Sequence, residues 1–178
     1  MKGPLFYSKI LLFGEYGIIE DSKGLSIPYN FFNGALKISE SSDEEAKKSN
    51  LILSQFSAHL KTLDIDLDLN SFDNHIKKGM YFDSSIPKGY GVGSSGALVA
   101  AVYEKYANNK ITVLENLTRE KLLVLKEIFS KMESFFHGKS SGLDPLNSYL
   151  SIPILIKSKN DINVTGIPSQ KSNGSGAV

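Results

Sequence analysis

Pro87-Lys88-Gly89-Tyr90-Gly91-Val92-Gly93-Ser94-Ser95-Gly96-Ala97 is the stretch on which the reading of this chain turns. Its four glycines and two serines stand directly before the run Ala97 to Ala107, which is apolar nearly all round and so predicts a buried helix. Uncapped backbone N–H groups and the positive end of the helix dipole converge at such a start, and phosphate is their natural ligand. Glycine lets the backbone approach an anion and take positive φ, while Ser94 and Ser95 offer oxygens to a phosphate-bound cation of the magnesium type. The candidate binding residues are therefore Lys88, Gly89, Gly91, Val92, Gly93, Ser94, Ser95 and Gly96.

Three other readings compete for the segment. A Walker loop is excluded, because its Lys-Ser/Thr pair would fall at Ala97-Leu98. Gly91-x-Gly93-x-x-Gly96 fits the dinucleotide fingerprint, with Glu115 about 20 residues on as the ribose acid. That fingerprint should open straight from a buried parallel strand, and here Ser84, Ser85, Pro87 and Lys88 come first. The third is a turn that serves only to pack a helix closely.

Working outward, Leu5 to Phe13 and Ile27 to Ile38 are aromatic and branched on either side of a turn-like Asp-Ser-Lys-Gly, which predicts two or three antiparallel strands. Ser42 with Glu45 forms a capping box, and Leu53, Phe56, Leu60 and Leu63 follow at helical spacing. Gly79 to Ile86 reads as a strand. Thr118 caps a helix whose Leu122, Leu125, Phe129, Met132 and Phe136 mark an inward stripe ending at His137-Gly138. Pro145 starts a short helix, and Ile152 to Ile156 is a last strand before a polar, Gly/Ser-rich end. Strands first and helices after, without repeated βαβ units, predict an α+β domain of mostly antiparallel sheet layered with helices.

With 178 residues, 41% hydrophobic and 22% charged, the chain has the composition of one soluble domain. A net charge of +1 with no basic block gives no footprint for nucleic acid or for an anionic membrane. No cysteine is present, so disulfides and thiolate chemistry are excluded, a composition compatible with a cytoplasmic setting. The apolar stretch from Leu5 to Phe13 is interrupted by Lys9 and closed by Glu15, too short and polar for a signal core or a membrane span.

Three blocks in order carry a resemblance. Lys9-Ile-Leu-Leu-Phe-Gly14-Glu15-Tyr16 is similar to the opening K-x-x-L-F-G-E-H of the GHMP kinases, and the glycine-rich turn resembles their P-x-x-x-G-L-G-S-S-A-A, with Val92 and Gly96 as departures. Glu133-Ser-Phe-Phe-His137-Gly138-Lys-Ser140-Ser141-Gly142-Leu-Asp144-Pro145 resembles the E-x-x-x-H-G-x-P-S-G-x-D of the mevalonate kinases within that superfamily, with Ser140 in place of a proline. The resemblance implies the N-terminal, ATP-binding domain of a small-molecule kinase over residues 1–178, with a second domain of similar size expected in a complete enzyme.

Phosphoryl transfer needs phosphates held in line, charge neutralisation and a group that receives the alcohol proton. By the resemblance, Asp144 is that base; without it, an Asp before Pro145 reads as a helix N-cap with proline at the first helical position. Lys9 lies among strand residues, where a lone ammonium is costly unless paired, and the resemblance places it beside Asp144. As a bare sequence feature it is an edge-strand lysine reaching water. Glu133 borders the apolar stripe of its helix; the resemblance makes it a magnesium ligand with Ser95, against a solvated helix-edge glutamate.

Glu15, Tyr16, His137 and Ser141 are implied at the substrate, with Tyr16 standing where the family has histidine. No second histidine stands at ligand spacing to His137, so zinc is not expected. The implied activity is ATP- and magnesium-dependent phosphorylation of mevalonate in isoprenoid synthesis, with room for a homodimer. Phosphomevalonate or sugar kinases are the neighbouring alternatives, and a GHMP-fold ligand sensor without transfer chemistry is the alternative of another class.

Overall fold

The computed structural model describes residues 3–13, 23–38, 43–112, 117–158 and 161–164. Among the described residues lie five strands and five helices: β1 (Phe6–Phe13), β2 (Gly24–Ile38), α1 (Glu44–Leu60), α2 (Leu69–Lys77), β3 (Met80–Ser84), α3 (Ser94–Tyr106), α4 (Arg119–His137), α5 (Leu143–Leu150), β4 (Ile154–Ser158) and β5 (Asp161–Val164). The architecture is α+β, as expected.

Strand β2 organises the sheet. At Gly34 it has β1 on one side and β3 on the other, and at Leu25 it lies between β1 and β4, which in turn pairs with β5. All of these pairings are antiparallel. The register jumps between Tyr7↔Asn33 and Ser8↔Tyr29, a bulge in β2 that lets one strand serve partners at both ends. This topology removes the dinucleotide reading: β3, the strand before the glycine-rich turn, is antiparallel to β2 and ends at Ser84, well short of α3.

Helix α3 is the centre of the fold. Every residue from Gly96 to Tyr103 is buried, and the helix packs on α5, α4, α2, β1 and β2. Its Ala97, Ala100 and Ala101 let neighbours approach from several sides at once. Thr118 caps α4 by accepting from the Lys121 N–H, and Leu122, Leu125, Phe129 and Met132 form the buried stripe, with Phe136 half-buried at its end. Phe129, Tyr103 and Tyr149 meet edge to face with centroids 5.1 to 5.5 Å apart.

Several expectations are corrected at element ends. Asp43 caps α1 by accepting from the Glu45 N–H, whereas Ser42 lies outside the described residues; Leu63 lies beyond the helix end at Leu60. The chain also forms α2, which the reading did not anticipate. Asp68 caps it, and only Phe72 and Ile76 are buried, too few apolar positions to mark a period. Helix α5 begins at Leu143, ahead of Pro145, and the last strand has a hairpin partner in β5.

Two buried polar side chains lock α5 to the sheet. Ser148 Oγ donates to the Tyr7 carbonyl at 2.7 Å, and Asn147 Nδ2 donates to the Ser26 carbonyl at 3.3 Å. The helix that carries Asp144 is thereby fixed against the strand that carries Lys9.

Candidate active site

The glycine-rich turn opens with positive φ at Gly89, Gly91 and Gly93, values that side chains disfavour. Gly93 stands at the N-cap of α3, and no side chain caps that helix start. The Ala97 N–H makes the first helical bond, to the Gly93 carbonyl at 3.0 Å. The preceding amides therefore open towards a cleft of about 1080 Å³ lined by Lys88, Gly89, Gly91, Val92, Gly93, Ser94 and Ser95. His137, Asp144, Asp43, Lys48, Ser49 and Asp83 also line the cleft.

Strand β1 meets this turn twice through one residue. The Lys9 N–H donates to the Val92 carbonyl at 3.1 Å, and the Lys9 ammonium lies 3.1 Å from Asp144 Oδ1. The Lys9 side chain is only 12% exposed, so the edge lysine reaching water is not what forms. Its burial is offset by the carboxylate it faces.

Asp144 is the second residue of α5, with Gly142 at the N-cap, and the Leu143 N–H is taken by Ser141 Oγ at 3.3 Å. The N-cap alternative for Asp144 is thus corrected: the left-handed Gly142 starts the helix earlier and leaves the Asp144 carboxylate facing Lys9. A first-turn carboxylate also sits favourably in the helix dipole.

Gly96 is buried and is not among the cleft-lining residues. A Cβ there would stand 2.7 Å from the Asp144 carbonyl carbon and 2.8 Å from the Pro145 nitrogen, so its part is close contact between α3 and α5. A Cβ on Gly93 would in turn stand 3.2 Å from Lys9 Cγ and 3.8 Å from Asp144 Oδ2.

Glu133, on α4, is 4% exposed, which removes the reading as a solvated helix-edge residue. Ser95 Oγ donates to its Oε1 at 3.1 Å, and Ser140 Oγ donates to its Oε2. With the Ser95 proton given to Glu133, His137 Nε2, 3.0 Å away, is left to donate to Ser95 Oγ. Burial pushes the Glu133 carboxyl above its usual range, the Asp144 charge adds to this, and the two hydroxyls and His137 oppose it.

Ser140, a hydroxyl standing where the resemblance has proline, is not among the candidate site residues read from the sequence.

Among the described residues no group of three or more His, Cys, Asp or Glu could hold a metal by itself. One carboxylate and one hydroxyl side by side instead suit a hard cation that takes its remaining ligands from phosphate and water. Glu133 and Ser95 fit that part.

The structure thus brings Lys9, Gly93, Ser95, Glu133, His137 and Asp144 together from β1, α3, α4 and α5. Ser141 is exposed with its hydroxyl engaged in the turn before α5, and Lys88 is exposed at the cleft rim. Glu15, Tyr16 and Glu115 lie outside the described residues.

Comparisons with known proteins bear on the fold. A mevalonate kinase crystal structure matches with TM-score 0.54 at 16% identity, over 91% of this chain and 55% of that one. The Methanococcus jannaschii mevalonate kinase matches with TM-score 0.54 at 17% identity, over 94% and 56%. The L. major mevalonate kinase, solved with R-mevalonate, matches with TM-score 0.51 at 18% identity, over 94% and 55%. The chain therefore spans about half the length of these structures and shares their fold. No curated protein matches it. The model of the GHMP kinases N terminal domain matches residues 52–151, from the middle of α1 to the end of α5, and the chain belongs to the GHMP kinases.

Proposed function

We propose that the intact protein is an ATP- and magnesium-dependent kinase that phosphorylates the primary alcohol of mevalonate. The observation that carries this reading is the Lys9–Asp144 pair, 3.1 Å apart, beside the open amide end of α3. An anion held by the Gly93 to Ser95 amides would lie next to a carboxylate already paired with a cation.

In this reading the acceptor oxygen attacks the γ-phosphorus, the bond to the ADP oxygen breaks, and the hydroxyl proton passes to Asp144. Lys9 pairs with the Asp144 carboxylate and neutralises charge that develops on the transferring group. Ser95 and Glu133 would hold magnesium, which supplies charge neutralisation on the nucleotide phosphates when bound. The rest of the cleft, from Lys88 to Asp43, is left for the remainder of the nucleotide. The resemblance assigns His137, Ser141, Glu15 and Tyr16 to recognition of the acceptor. Mevalonate is favoured over other alcohols by Glu133-x-x-x-His137-Gly138 and Ser141-Gly142-x-Asp144.

A coupled ADP-release assay of the intact protein over a panel of alcohols tests the reading. ADP release with mevalonate is expected; turnover with another alcohol alone would replace the substrate, and nucleotide binding with no transfer to any alcohol would favour a sensor.

A further inference from the structure

Ser140 has hydrogen-bonding partners on three sides. Its hydroxyl accepts from the Gly142 N–H at 2.9 Å and donates to Glu133 Oε2, and its carbonyl accepts from Ser130 Oγ at 2.6 Å. Because the backbone amide occupies a lone pair of the hydroxyl, the single proton is directed at the carboxylate. The Ser130 bond holds residue 140 on α4, the same helix that carries Glu133. Gly142 lies against that helix as well, since a Cβ on it would stand 2.1 Å from the Lys126 carbonyl oxygen.

We propose that Ser140 is the positioning residue that fixes which oxygen of Glu133 faces Ser95, so that Oε1 and the Ser95 hydroxyl together are presented to a nucleotide-bound divalent cation. The proposal rests on the kinase reading above. A buried carboxylate with one oxygen tied back has one orientation to offer; with that tie removed it can turn, and its Oε2 is left buried without a donor. Ser140 touches neither nucleotide nor acceptor in this scheme and acts only through Glu133.

Mn²⁺, which reports by electron paramagnetic resonance, is titrated into the intact protein with a non-hydrolysable ATP analogue. Wild type is compared with Ser140→Ala and Ser130→Ala. Ser140→Ala is expected to weaken Mn²⁺ binding on the order of 10- to 100-fold while metal-free analogue affinity stays unchanged. Ser130→Ala loosens the same loop and removes no Glu133 donor; it is expected to stay within about twofold of wild type.

Equal Mn²⁺ affinity in wild type and Ser140→Ala overturns the proposal. So does a Ser130→Ala loss that matches that of Ser140→Ala, or a parallel loss of metal-free analogue binding. Wild type that binds no analogue at all removes the kinase reading itself, and the proposal with it.

Discussion

Gly96 and Asp144 are in such close contact that a methyl group on Gly96 would stand 2.7 Å from the Asp144 carbonyl carbon and 2.9 Å from its Cβ. Gly96→Ala must therefore push α5 away from α3 and carry Asp144 from Lys9. Overpacking of this kind costs about 1–3 kcal/mol, and a displacement of about 1 Å at a reacting group can cost about 100-fold in rate. A lowered melting temperature with a larger relative loss of kcat is expected; unchanged kcat and stability would show that α5 moves freely.

Asp144→Asn keeps the size of the side chain and removes its basicity. On the kinase reading, kcat falls on the order of 10²- to 10⁴-fold, while nucleotide affinity is largely kept. Steady-state kinetics with direct nucleotide titration checks both halves. Near-normal turnover would reduce Asp144 to a partner that offsets the burial of Lys9.

Ser95→Ala removes an oxygen from the region proposed for magnesium, and Glu133→Gln replaces one carboxylate oxygen there with an amide nitrogen. Both variants are expected to raise the magnesium concentration needed for half-maximal rate, Glu133→Gln more strongly because it also removes a charge. A magnesium titration that superimposes on wild type would exclude the residue concerned from the metal shell.

Away from the site, Asp73 accepts from Ser57 Oγ and Lys61 Nζ, each at 2.5 Å. The Lys61 and Ser57 hydrogen bonds hold its carboxyl below the usual range. A depressed carboxylate contributes stability that is present above the unfolded value of about 4 and is lost as pH falls through the folded value. Asp73→Asn should therefore melt earlier than wild type at pH 7, with the gap closing in acid. A gap that is constant with pH would assign the effect to packing.

The helices with strong periods were legible: Leu122, Leu125, Phe129 and Met132 located α4, and the apolar run after Gly96 located α3. Helix α2 was hidden, because a nine-residue element with two buried side chains carries almost no period. Lys9 and Glu133 stood out because each is a charged group in or beside an apolar pattern, where burial demands a partner, whereas Asp144 stood out by the resemblance alone. What those partners were could be taken only from resemblance, since 135 residues separate Lys9 from Asp144.

Gly96 was read as a phosphate-loop residue, and its packing against α5 is recorded by no local pattern, because the atoms it meets belong to a distant segment. Ser140 drew no role because a loop serine is common, and the carboxylate it meets lies on the preceding helix.

Lys9 joins β1 to the glycine-rich turn by its main-chain N–H and to α5 by its ammonium. Charge and scaffold are thus separable at one position: a neutral side chain there abolishes the ion pair yet retains the tether to Val92. Proline would sever the tether as well, because it has no amide hydrogen to give.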